Sequence, residues 1–597
     1  MNQPQISPPN KIADHRFKKV IFDVETDGLE GNRIHCIVTK VIGGATQLFP
    51  PDKLQEGVAV LESADVLIGH NIIGFDIPVI KKHFDVALTN HIEDTLVLSR
   101  LANPVLTGGH SLGNWGYLLY PNDVSKRKAV QPDSWEEYTD EMGAYCIQDV
   151  ELNADVYYRV LKDLEIFSQE SIDLEHAVAR IIKDQELTGF MLDEKKATIL
   201  SSKLKSKMAL LEKEVHETFQ PKWVDDKLIT PKFNKDGALS KSPKLTAKEL
   251  SHCRTTDYEP FMRQKWVEFN LASRKQIGEY LIAFGWKPKK FTPTGQPIVD
   301  EATLAKVTKI PEAALIAEFM MVQKRVAQVS SWLELAIDGR VHGFVIPNGA
   351  ITGRMSHRSP NVAQTPSSGK PYGKECRECW TVPSGYKLVG IDASGLELRV
   401  LAHYMKNKDY INEVINGDIH CTNQALAGLK LRSQAKTFIY ALIYGAGDAK
   451  IGRVVGGNGK AGAELRERFI CNLPSLGYLT EHVKQRAHKK KYLKALDGRV
   501  IHIRAVYSSL NSLLQGGGAV VMKTALVLLD NKIKEHNLDA RFVANIHDEW
   551  QLEVAEHQAD LVGKLGVEAL AETATVLDML CPLDGEYKIG DNWSETH

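Results

Sequence analysis

At 597 residues the chain is too long for one hydrophobic core, and at roughly 150 residues per domain it divides into about four folding units. Lys plus Arg total 74 against 75 for Asp plus Glu; the net charge of -1 excludes a global polyanion-binding surface, so any nucleic-acid contact must come from local clusters. Eight scattered cysteines exclude a disulfide framework and fit a reducing compartment, and no uncharged apolar run is long enough to suggest a membrane span.

The opening stretch MNQPQISPPNKIADHR is polar and lacks the apolar centre of a signal sequence, which predicts a soluble, unsecreted protein with no membrane partner. KKVIFDVETDG predicts a buried strand that delivers Asp23 and Glu25 to its C-terminal end, on one face because strand side chains alternate with period two. VLIGHNIIGFD predicts a second strand, a turn, and Asp76 at the start of a helix continuing through IPVIKKHF. In AYCIQDV, Tyr145 and Asp149 stand one helical turn apart, on one face. A lone D-x-E is ordinarily a solvated strand end. The ordered set DxE, NxxxFD and YxxxD resembles the proofreading 3′→5′ exonucleases that carry four carboxylates and a tyrosine, which implies an RNase H-like domain over residues 1–165. Four carboxylates in one place repel one another unless cations neutralise them, so two divalent ions are implied at Asp23, Glu25, Asp76 and Asp149. The resemblance gives one ion the attacking water, the other the leaving 3′ oxygen of a single-stranded DNA end, and Tyr145 the orientation of that water. Because all four carboxylates are present, the exonuclease is expected to be active. His35, His70, His91 and His110 are expected to be hydrogen-bonded structural groups, with Asp94 a supporting acid behind the site.

From residue 165 to 215 long helical periodicity predicts antiparallel helices, and residues 220–268, broken by Pro, Lys, Asp and Ser turns, predict an irregular insertion. Arg274, Lys275 and the lysines of 287–290 are available to DNA phosphates, and such contacts position a duplex without reading its sequence; the lysines of 484–494 read as an ordinary solvated face. Cys376 and Cys379 form one CxxC with no second pair at zinc-ribbon spacing, so no metal is expected there.

Asp392 in KLVGIDASGLELR and Asp548 in FVANIHDEWQLEV each end an apolar run, where a carboxylate can point from a sheet edge into a cleft. Paired acids of this kind suit two hard cations and phosphoryl or nucleotidyl transfer. Between them, Arg432, Lys436, Tyr440 and Tyr444 recur every four residues in RSQAKTFIYALIYGAG, so on a helix they form one stripe, with Ala435, Ile439 and Leu442 on another. That stripe can hold a triphosphate and a base.

DASGLELR, RSQAKTFIYALIYG and HDE, in this order, resemble the first palm motif, the fingers helix and the second palm motif of family A DNA polymerases, and the chain is most similar to the replicative polymerases of T-odd bacteriophages. The resemblance implies an α/β multidomain fold: a thumb over 166–340 containing the 220–268 insertion, palm over 341–410 and 501–597, and fingers over 411–500 of a right-hand polymerase. It further implies a Mg²⁺-dependent enzyme of the bacterial host cytoplasm, phage-encoded, with two ions at each site and Mn²⁺ as a substitute, acting on primer-template DNA and deoxynucleoside triphosphates. No segment resembles a 5′-nuclease. Asp392 and Asp548 are the expected metal ligands, with the Ala393 carbonyl adding an oxygen and Glu549 supporting them. Glu397 resembles the steric gate that leaves no room for a ribose 2′-hydroxyl. His420, Arg432 and Lys436 hold the triphosphate, Lys436 protonating the departing pyrophosphate; Tyr440 meets the incoming sugar and base and permits dideoxynucleotides, and Tyr444, before the hinge Gly445, stacks at the template position. Arg354, in the turn Thr352–Gly353–Arg354, holds the primer-template backbone, Asn511 and Gln515 probe the minor groove, and His547 touches the primer terminus. A helicase-primase or a processivity factor is the implied replisome partner; the insertion is shorter than and unlike the one that recruits thioredoxin in the best-known T-odd phage relative, so the resemblance leaves thioredoxin open as that factor. A low-processivity repair polymerase and an exonuclease-only DNA-binding protein are the alternatives.

Overall fold

In the computed structural model, which describes residues 17–255 and 259–597, the polar opening stretch lies outside the described part. Val20, Ile21, Phe22 and Val24 make β1 (Lys19–Thr26) apolar on both faces, so it takes the middle of a sheet covered on both sides. β1 pairs antiparallel with β2 (Ile34–Val41), which carries β3 (Thr46–Phe49), and parallel with β4 (Val66–Gly69), which carries β5 (His91–Asp94). Val20, Phe22 and Val24 face a core completed by Val79 and Ile80 of α1 (Asp76–Phe84). α2 (Thr95–Ala102) follows β5. Ile21, Val38 and Ile68 face the other way, onto Cys146 and Val150 of α3 (Asp140–Asp163). Asp23 and Glu25 continue the Ile21 face by period two, and so end up beneath α3.

α4 (Gln169–Thr188) belongs to the same compact unit, Met1–Asp193 with Leu335–His597; Glu194–Glu334 forms a second one. In the second unit, α5 (Glu194–Thr218) sets Ala197, Leu200, Leu204, Leu211 and Val215 along one face and packs on α6 (Pro311–Glu334), whose Ala313, Ile316, Phe319, Val322 and Val329 do the same. The helices expected over 165–215 therefore form, but their packing partners lie far along the chain. The expected irregular insertion contains regular structure: β6 (Lys222–Ile229) pairs antiparallel with β7 (Phe261–Val267), Trp223 opposite Trp266. Its alternation escapes a sequence reading because both strands are largely exposed and neither shows a continuous apolar face.

In the first unit, β8 (Tyr386–Ala393) leads into α7 (Leu396–Met405), and α8 (Arg432–Ile443) precedes α9 (Ser509–Glu535). β9 (Ala540–Ile546) and β10 (Glu549–Ala555) form a tight hairpin; α10 (Ala559–Val576) and β11 (Gly585–Gly590) follow. The antiparallel sheet has the order β9-β10-β8-β11, and Asp392 stands in register with Glu549. α9, by length and composition, could cross a membrane, contrary to the sequence expectation. Its apolar circumference reflects burial instead: Leu514, Val521, Ala525, Leu526 and Leu529 share one core with Val389 and Ile391 of β8 and Val562, Leu565 and Ala569 of α10. α4 packs on β9 and α9, where Glu175 meets Arg499 and, at 2.5 Å, Lys523 in a buried charge cluster.

Candidate active sites

Beneath α3, Asp23 and Glu25 of β1 meet Asp149, while Asp76 at the start of α1 accepts the Val24 backbone N–H at 3.0 Å and is thereby tied to the strand between the other two. Burial first, and then mutual repulsion, raises Asp23, Glu25 and Asp76 above the ordinary carboxylate range; burial also raises Asp149. Asp149 Oδ1 is buried with no hydrogen-bond partner. Ligand atoms of Asp23, Glu25 and Cys146 lie within 4.8 Å of one another. The Cys146 thiol donates to Asp23 at 3.5 Å, and burial keeps it protonated, so the donor set is oxygen and fits hard divalent cations. Tyr145, one turn before Asp149, packs edge-on against Trp135.

Lys128, which the sequence reading passed over, reaches this cluster: its ammonium pairs with Asp149 and lies 4.5 Å from the Tyr145 ring centroid. Asp94 is not among the clustered carboxylates. Its oxygens accept backbone N–H groups of Asn71 (2.9 Å), Ile73 (3.0 Å) and Leu96 (2.9 Å), so it caps α2 and fixes the turn leading to Asp76. The four histidines engage protein groups: His35 with the Trp135 carbonyl, His70 with Thr95, His110 with Ser99, and His91 beside Glu93.

The second cluster stands on the antiparallel sheet. His547, at φ 57°, and Asp548 form the two-residue turn between β9 and β10, and the Ala393 N–H donates to the Asp548 carbonyl at 3.0 Å, pinning that turn beside β8. Burial, then the charges of Asp548 and Glu549, pushes Asp392 up to about 7. Glu549 behaves oppositely: despite its burial, hydrogen bonds from His597 (2.7 Å), Trp593 (2.7 Å) and Gln551 (2.5 Å) hold it below the ordinary range. Both Glu549 oxygens are thus occupied; ligand atoms of Asp392, Glu549 and His597 lie within 4.8 Å of one another, and Asp548 stands exposed on the turn beside them. His597 and Trp593 carry no local signal; only the return of the chain past β11, with Thr596 donating to Gln551 at 2.8 Å, brings them here.

On α8, Ala435, Phe438, Ile439 and Leu442 enter the core, and Arg432, Lys436, Tyr440 and Tyr444 line the outer side. Tyr440 and Tyr444 stack with centroids 6.3 Å apart, and His420 lies 6.3 Å from Tyr440. Arg432 pairs with Asp418 at 2.7 Å. Glu397 is held from two sides, by the Tyr444 hydroxyl at 2.7 Å and by Arg354 at 3.1 Å. The hydroxyl contact gives Tyr444 a second connection, in addition to stacking, that spacing alone does not reveal. Asn511 and Gln515 lie half-buried one turn apart on α9, and Asn511 Oδ1 has no hydrogen-bond partner.

The sequence profile of DNA polymerase family A matches residues 238–595. The DNA-directed DNA polymerase of Enterobacteria phage T3 is 32% identical across 97% of this chain and 100% of its own length. That of Escherichia phage T7 is 31% identical with the same coverage. DNA polymerase I of Pseudomonas aeruginosa is 25% identical over 92% of this chain and 57% of its own. The POL domain of Pol1 from M. smegmatis, solved with DNA primer-template and dNTP, shares the fold at TM-score 0.77 and 18% identity, covering 97% of this chain and 96% of that one.

Proposed function

Because this chain belongs to DNA polymerase family A and is a DNA-directed DNA polymerase of the T3 and T7 phage type, we propose that it joins two reactions on one chain, primer extension at Asp392 and Asp548 and 3′→5′ proofreading at Asp23, Glu25, Asp76 and Asp149. The proposed domains are exonuclease 1–165, thumb 166–340 with its 220–268 insertion, palm 341–410 and 501–597, and fingers 411–500. Its partners are primer-template DNA, deoxynucleoside triphosphates and, at the exonuclease, a single-stranded 3′ end, in the cytoplasm of a bacterial host. Family A polymerases are metal-dependent; two Mg²⁺ per site, replaceable by Mn²⁺, would be held by Asp392, Asp548 and the Ala393 carbonyl at one site and by the four exonuclease carboxylates at the other. When bound, such ions neutralise phosphate charge and activate the attacking oxygen.

The chain's own groups do the rest. Glu549, fixed by three donors, keeps a negative charge behind Asp392 without turning toward the substrate. Arg432, His420 and Lys436 face the triphosphate, and Lys436 gives a proton to the departing pyrophosphate. Tyr440 meets the incoming base and sugar, and Glu397, held by Tyr444 and Arg354, closes the space a 2′-hydroxyl needs. Arg354, Asn511, Gln515 and His547 hold the primer-template. At the other site Tyr145 orients the hydrolytic water. The observation that carries this reading is the convergence of Asp392 and Asp548, far apart in sequence, through the Ala393 contact at 3.0 Å. Extension of a labelled primer-template tests it. The wild type extends with deoxynucleotides and Glu397→Ala also accepts ribonucleotides; failure to extend with any nucleotide overturns the reading.

A further inference from the structure

We propose that Lys128 is a positioning residue of the exonuclease site, holding Asp149 through an ion pair and the Tyr145 ring through a cation–π contact so that both α3 groups face the carboxylate cluster; this rests on the proofreading reading above.

Several features make Lys128 a built part of the site and not a wandering surface lysine. The segment carrying it is fastened to the domain on both sides. Gln148, beside Asp149 on α3, donates to the carbonyls of Ser125 (2.9 Å) and Arg127. Arg127 donates to the Tyr120 carbonyl at 2.8 Å and lies 4.7 Å from the Tyr117 ring centroid. The backbone of Arg127 and Lys128 runs so close to Gly116 that a Cβ there would sit 3.3 Å from both. Lys126, two residues earlier in the same SKRK run, points elsewhere, over Tyr120. The Lys128 side chain is 28% exposed, while its partner carboxylate is 4% exposed. Asp149 has its other oxygen unpartnered, so the ion pair fixes the carboxylate while leaving Oδ1 for a cation.

A cation placed here has two consequences of opposite sign. It orients Tyr145 and Asp149, on which shortening depends, and it repels any further positive charge brought to the same carboxylates. Lys128→Met is therefore expected to lower primer shortening at saturating divalent ion by about tenfold to a hundredfold. In the Asp392→Ala/Asp548→Ala background, where the palm carboxylates are gone, the same change is expected to tighten calorimetric binding of Mn²⁺ alone by roughly tenfold. Lys128→Arg, keeping the charge, retains most of the rate. A lysine that merely kept the loop folded would on removal weaken Mn²⁺ binding together with the rate. Primer extension by Lys128→Met in the otherwise wild-type chain reports that the protein is folded. Unchanged shortening in Lys128→Met, or weakened Mn²⁺ binding, overturns the inference. Asp23→Ala/Glu25→Ala, run in parallel, separates the two levels: if that variant still shortens primers, the proofreading reading itself fails.

Discussion

The two carboxylate clusters solve the same electrostatic problem differently. Beneath α3, four acids are crowded and mostly buried, every one of them raised above its ordinary range, and the counter-charge within reach is Lys128. On the palm sheet Asp392 is raised, Glu549 is satisfied by three donors, and Asp548 stands exposed on a turn. Crowding sets the charges of the first cluster against one another, whereas hydrogen bonding lets the second hold part of its charge unaided.

The largest effect that separates them is expected from Asp392→Asn, which should lower extension at least about a thousandfold while shortening persists, measured as single-turnover rates on one preparation. His597→Ala removes one donor from Glu549 and should cost extension about tenfold, with shortening unchanged. Tyr444→Phe deletes the hydroxyl contact to Glu397; a loss of about fivefold in discrimination against ribonucleotides is expected from competition assays. The smallest effect is thermodynamic. A carboxylate whose folded pKa is raised binds more protons folded than unfolded, so its contribution to stability is lost as pH rises above the ordinary carboxylate range. In chelator, the melting temperature should fall by a few degrees from about pH 5 to about pH 8. Asp23→Asn/Glu25→Gln should flatten that slope, Glu549→Gln should not, and divalent ion should restore the wild type.

Much of this was legible because strand and helix periods place side chains without tertiary information. Period two put Asp23 and Glu25 on one face of β1, and the four-residue spacing put Tyr145 with Asp149 and Arg432 with Tyr444. What escaped depends on chain return or on loops. Lys128 sits in a polar run that resembles a solvated face until Gln148 and Gly116 fasten it. His597 and Trp593 reach Glu549 only after the chain has run along the sheet edge as β11. The β6–β7 pair hides because exposed strands need no apolar face, and α9 mimics a membrane span because the core surrounds it.

The most direct test of two separate sites compares extension and shortening of one labelled primer-template by wild type, Asp548→Ala and Asp23→Ala/Glu25→Ala. The structure predicts reciprocal losses: extension alone in Asp548→Ala and shortening alone in the double variant. Loss of both reactions in either variant, or a wild type that only shortens primers, would contradict it.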